Sequence, residues 1–282
     1  MQTPTKEASM KTLRIFRTVS LLATAVAVLL RTLNLFLYYE ADIGYYRMGS
    51  ISPVLLRIFL LLCVVAFAVL PFVMGRRIAP APQSKLLTVV AILVATVFAA
   101  TALWRYCISA TIFSVSTVFV FATGGLASYF FILFASQKRA PLLSVITGLG
   151  AILWLVSILA VSYFDVTVTM NAPEKLVLHF ACAGGMLLLL GEIRLACGVS
   201  KPRFYLFSLA TATLALCVSA IPSCIASLAG ILAPRALGYA DLGCLALGIF
   251  GIVRLSSPFR YEEDEVTDAV APEITEDGED LT

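Results

Sequence analysis

Residues 18–39 read TVSLLATAVAVLLRTLNLFLYY and set one arginine and one asparagine into a run otherwise made of apolar, hydroxyl-bearing and aromatic residues. About 20 such residues, wound as a helix, cross the ~30 Å hydrocarbon layer of a bilayer. Ser20, Thr24, Ala27, Arg31, Asn34 and Tyr38 recur at steps of three and four residues, so a helix gathers them into one polar or small stripe. A stripe of that kind faces protein or water rather than lipid.

The rest of the chain repeats the apolar run. With 60% hydrophobic residues, 13% charged residues and a mean hydropathy of +0.97, 282 residues cannot hide their apolar surface inside a water-soluble globule. Runs bounded by charge, proline or glycine predict helices near 18–39, 54–74, 86–104, 115–135, 142–163, 175–197, 204–221 and 237–255. The fold expected is all-α, a polytopic transmembrane bundle of eight spans, with a basic terminus at 1–17, a helical body at 18–255 and a tail at 256–282.

Orientation follows from lysine and arginine, which stay on the cytoplasmic side during insertion. Alternate segments carry Lys6, Lys11, Arg14 and Arg17; Arg76, Arg77 and Lys85; Lys138 and Arg139; Arg194, Lys201 and Arg203; and Arg254 and Arg260. The opposite segments hold only Arg47, Arg57, Arg105, Lys175 and Arg235. Both ends are therefore expected in the cytoplasm. A cleaved signal peptide is the rival reading of the first run, whose stretch from Val19 to Leu30 is short; the absence of a small-residue cleavage site and the return of apolar residues at Leu33 favour a retained helix.

Charge is segregated along the chain. The last 22 residues hold 10 acidic residues and no base, whereas residues 1–260 hold all 20 lysines and arginines against 7 acids. The segment from Ser256 onward is expected to be a solvated, disordered tail, with docking of a protein partner as its functional alternative. Between Phe204 and Pro234 the apolar stretch exceeds one straight span. Either Pro222 ends or kinks the helix, leaving Ser223–Ala233, with Ser227 and Gly230, as an interfacial or re-entrant piece, or a single long helix tilts. Of the seven cysteines, Cys63, Cys182, Cys197, Cys217 and Cys244 fall in apolar runs and read as small core residues; a bridge between Cys107 and Cys224 is conceivable near the outer surface.

Soluble-enzyme motifs are absent: the chain has no phosphate-binding lysine loop, no GxSxG and no GxGxxG, and its single histidine rules out HExxH. No cofactor or metal site is expected. Nothing points to nucleic acid, because topology accounts for the basic residues. Chemistry, if any, rests on polar groups at membrane depth, which are costly there. Arg31, Asn34, Glu192 and Asp241 are the pathway candidates. Asp241 sits by the small face Ala240, Cys244 and Gly248, Glu192 shares a face with Ala181, Gly184, Gly185 and Leu188, and close helix packing is the plainer account of both. Arg31 and Asp241 lie at similar depth on their helices, and an ion pair between them is expected. His179, one turn inside the outer boundary, could relay protons but needs no purpose beyond a hydrogen bond.

The outer surface gathers Tyr38, Tyr39, Glu40, Asp42, Tyr45, Tyr46, Arg47, Arg57, Tyr106, Asp165, Glu174, Lys175 and His179. Interfacial tyrosines are ordinary, yet the mixed charges could line a shallow polar mouth. Two stretches here, DIGYYR at Asp42–Arg47 and TMNAPEK at Thr169–Lys175, resemble a family of multi-spanning bacterial membrane proteins of unknown function; the resemblance implies a bacterial plasma membrane location and carries over no catalytic residue. TGG at Thr123–Gly125 and AGG at Ala183–Gly185 hint at repeated hairpins, although little else aligns and chance explains them as well.

Three functions remain. A small-solute transporter or permease-like subunit would use Arg31, Asn34, Glu192 and Asp241 and needs a wet path reaching Arg31. An accessory or sensory subunit would show a dry bundle. A membrane-embedded enzyme acting on a lipid-linked substrate at the outer face would bring Asp165, Glu174 and His179 together. The topology has a direct check in intact cells after removal of native accessible thiols. A cysteine at Gly49 should react with an impermeant reagent and one at Gln137 should not; the opposite pattern would reverse the orientation.

Overall fold

The computed structural model describes residues 6–73, 78–80, 84–108, 115–137, 140–164, 172–199, 201–232, 238–257 and 259–261. Among them are eight helices, each long and apolar enough to cross a membrane: α1 (Lys6–Tyr38), α2 (Ser52–Val73), α3 (Lys85–Ile108), α4 (Val115–Ala135), α5 (Pro141–Phe164), α6 (Pro173–Ala196), α7 (Pro202–Leu228) and α8 (Gly238–Ser256). Two small antiparallel pairs complete them. Strands β1 (Tyr39–Glu40) and β2 (Tyr45–Tyr46) form a hairpin after α1, and β3 (Ile78–Pro80) joins β4 (Phe259–Tyr261).

Helices α3 to α8 close a ring in which each packs on the next and α8 returns to α3. The pair α1 and α2 lies outside the ring against α7. Enclosed from both sides, α7 is the most buried helix, and its sequence, apolar all round, suits that place.

Side chains fill the ring. Edge-to-face and stacked contacts run from Tyr239 through Trp154, Phe98, Phe131 and Phe250 to Phe134, with centroids 4.7–6.4 Å apart. Missing side chains make room for this column: a Cβ on Gly243 would stand 2.2 Å from Trp154, and one on Gly124 would meet the Ala102 Cβ at 2.8 Å. The small residues expected to bring helices together do so. Gly184 lies against Ala212 and Ala215 of α7, and Gly248 against Cys217. Gly125 faces open space while Gly185 meets Leu155, so TGG and AGG do not play matching roles.

Three boundaries differ from expectation for physical reasons. The helix α1 begins at Lys6 rather than near Thr18, because Leu13 and Phe16 give its first turns a buried face, Phe16 meeting Phe67 edge-on at 6.0 Å. The helix α7 runs through Pro222 to Leu228 and then stops in a Schellman turn, where Ile231 N bonds Ala226 O, Gly230 N bonds Ser227 O, and Gly230 supplies the φ of +74°. At 27 residues it is about 40 Å long and must tilt, the long-helix reading of this stretch.

The third difference concerns the tail, whose root is ordered beyond Ser256. Phe259 is buried beneath the Arg17 guanidinium, Arg17 donates to Ser256 O, and strand pairing ties β4 to the segment after α2. The acidic remainder, 262–282, lies outside the described residues, as do Asp165 and Arg235.

Candidate functional site

The predicted stripe on α1 is real: Ser20, Thr24, Ala27, Arg31 and Asn34 are all buried, and Tyr38 is half-buried. It lies along α7 and meets that helix at its proline. Pro222 has no N–H for the carbonyl of Val218, and its ring crowds that carbonyl, so a hydrogen-bond acceptor is freed inside the bundle. Arg31 takes it up. Its Nη1 donates to Val218 O and, at 2.7 Å, to Ser219 O. Its Nη2 donates to Glu174 Oε2 at 2.5 Å and Ser223 Oγ at 3.3 Å. One guanidinium thus satisfies the break in α7 and joins α1, α6 and α7.

The carboxylate that meets Arg31 is therefore Glu174 and not Asp241. Placing Glu174 in the outer mouth missed this, since it occupies the first turn of α6, is 4% exposed and turns inward. Asp241, in the first turn of α8, acts on Arg31 through its field, as a second negative charge beyond the direct contact. The signal that could have identified Arg31's main partner was Pro222: a buried proline in a membrane helix calls for an external donor.

The hairpin β1–β2 covers this cluster from outside. Tyr46 lies within hydrogen-bonding reach of Arg31, and burial, reinforced by the charge of Glu174 and opposed by Arg31, pushes its phenol up to about 12. Tyr39 and Tyr46 meet edge-on at 5.8 Å and pack with Leu35, Ala226 and Leu232. Asn34, fully buried, accepts from Ser52 Oγ at 2.6 Å, while its Nδ2 and the Arg31 Nε find no acceptor among the described residues.

A second buried cluster lies toward the opposite end. Tyr205 donates to Glu192 Oε1 at 2.6 Å, and Arg254 Nε donates to Tyr205 Oη at 2.7 Å and Glu192 Oε1 at 3.1 Å. The Arg254 guanidinium also covers the Phe134 ring, ending the aromatic column. By its place at the end of the last apolar run, Arg254 reads as a cytoplasmic flank. It follows the small face Ala240, Cys244, Gly248 and Gly251 by helical steps, and that periodicity carries it inward to 3% exposure. Tyr205 carried no sequence signal of its own.

The remaining candidates do not converge. Arg47 meets Glu40 at 3.4 Å on an exposed surface, which stabilises little, and Asp42 and Arg57 are exposed. His179, half-buried, has its Nε2 3.2 Å from Ser162 Oγ, five residues on from Glu174 and so on another face of α6. Cys107 and Cys224 are free thiols. No group of three metal-ligating side chains occurs among the described residues. A 230 Å³ groove lined by Leu93, Val97, Thr101, Leu242, Ala246 and neighbours is apolar and lies between α3 and α8, away from Arg31. The chain matches no family model, no curated protein and no solved structure.

A double-mutant cycle tests the link between Arg31 and the break. Arg31→Gln should cost about 3–5 kcal/mol, because Glu174 loses its buried counter-charge. Pro222→Ala supplies the missing N–H, so adding it to Arg31→Gln should return about 1 kcal/mol relative to additivity. Unfolding in mixed micelles measures both. Strict additivity would mean that Arg31 does not serve the freed carbonyl of Val218.

Proposed function

We propose that this chain is a rigid, non-catalytic accessory subunit of a bacterial plasma membrane rather than a conduit for solute. The aromatic column carries the reading. From Tyr239 to Phe134 the axis of the six-helix ring is occupied by interlocked rings, and the glycines beside them leave no slack. Support comes from the two charged clusters. Arg31 and Glu174 meet each other, as do Glu192 and Arg254, so these membrane-depth charges serve as links between helices. The acidic tail, leaving from strand β4, is then the handle for a cytoplasmic protein partner, and the bilayer is the other partner.

The enzyme reading has less support, because Glu174 and His179 point apart and each has its own partner. The permease reading keeps one specific observation. Arg31 Nε and Asn34 Nδ2 are enclosed donors beside a helix break, where an acceptor-bearing solute could be held.

Cysteine accessibility separates the two. In a background lacking the native accessible thiols, Ala27→Cys in the stripe and Ala102→Cys in the ring should resist a charged thiol reagent applied to right-side-out and to inverted vesicles. Labelling of either position from both sides would establish alternating wet access and replace the subunit reading with the permease.

A further inference from the structure

At the turn between α6 and α7 lie three basic residues, Arg194, Lys201 and Arg203, and none of them has an ion-pair partner among the described residues. The turn is tight: Val199 N bonds Arg194 O, and Gly198 adopts a φ of +69°. With α6 packed on α7, the end of one lies close to the start of the other. Topology alone asks for positive charge here and says nothing of its geometry.

The geometry is specific. Arg194 lays its guanidinium 5.3 Å from the centroid of Phe204, and Arg203 lays its own 5.3 Å from the centroid of Phe72 on α2. In both, the Nε is enclosed by protein and bonded to no acceptor. Among the described residues Arg194 makes one long hydrogen bond, 3.5 Å to Val199 O, and Arg203 none. Phe72 is 67% exposed at the end of its span and presents an apolar surface to lipid.

We infer that this turn is a seat for the headgroup of an anionic glycerophospholipid. Arginine presents a planar fork that matches phosphate oxygens, and stacking on a ring fixes the fork before the ligand arrives. Lys201, exposed on the same turn, adds charge at the membrane surface, where basic residues attract anionic lipid. Phe72, exposed at the last position of the apolar span of α2, offers acyl chains an apolar ring beside the arginine, which favours a lipid over a free phosphate. The neighbouring cation, Arg254, is already engaged by Glu192 and Tyr205 and takes no part.

The test uses the full chain purified in neutral detergent and probed with phosphatidylglycerol, phosphatidylcholine or inorganic phosphate. Phosphatidylglycerol should raise the unfolding midpoint by about 4 °C more than phosphatidylcholine does, and inorganic phosphate should not reproduce the shift. The variant Arg194→Gln/Arg203→Gln should lose that difference, while Arg47→Gln/Arg57→Gln on the opposite surface should keep it. Native mass spectrometry should show a retained phosphatidylglycerol on the wild type and on the control variant only. Equal shifts from both lipids on the wild type would overturn the proposal even if the arginine variant failed to fold. So would an undiminished preference in that variant, or a full effect from inorganic phosphate.

Discussion

Inside a bilayer a backbone carbonyl that loses its N–H has no water to turn to, and the most enclosed helix of this protein contains a proline that creates such a carbonyl. Arg31 resolves the conflict by donating to Val218 O and Ser219 O. Much else follows. The guanidinium is a full charge that must be neutralised at depth, which draws Glu174 inward and ties the start of α6 to α1. With its donors in place, α7 continues through Pro222 as a helix to Leu228 instead of unwinding there.

The remainder of the bundle is arranged around that helix. On one side α7 meets α1 and α2; on the other it closes the ring of α3 to α8, whose axis is packed with aromatic rings. Its two ends are held by clusters of similar composition, a buried arginine, a buried glutamate and a tyrosine: Arg31, Glu174 and Tyr46 at one, Arg254, Glu192 and Tyr205 at the other. The difference between the ends lies in what the arginine does. Arg254 serves side chains alone, whereas Arg31 also replaces the backbone donor that Pro222 lacks.

Much of this was legible from residues alone, because a bilayer enforces simple rules. Eight apolar runs became eight helices, and the stripe from Ser20 to Asn34 proved buried because 3.6-residue periodicity is a property of the local chain. What could not be read was which charge meets which. Arg31 and Asp241 matched in depth, but α6 and α8 both pack on α7, and depth along a helix does not say which carboxylate turns toward the guanidinium; Glu174 does. Arg254 was misplaced for a related reason. A basic residue in the last turn of a span looks like a topology signal unless the small face leading to it is followed one step further.

The bundle rests on an Arg31 guanidinium locked on backbone carbonyls away from water. Hydrogen exchange at arginine side-chain nitrogens reads that directly, with ¹⁵N-arginine-labelled protein in lipid nanodiscs and Arg31 assigned by Arg31→Lys. The Arg31 Nη protons should persist for far longer after transfer to D2O than those of exposed Arg47, and should show through-bond coupling to ¹³C-labelled carbonyls of Val218 and Ser219. Exchange of Arg31 as fast as that of Arg47, without such coupling, would mean that water reaches the site and that the break at Pro222 is satisfied by something other than this arginine.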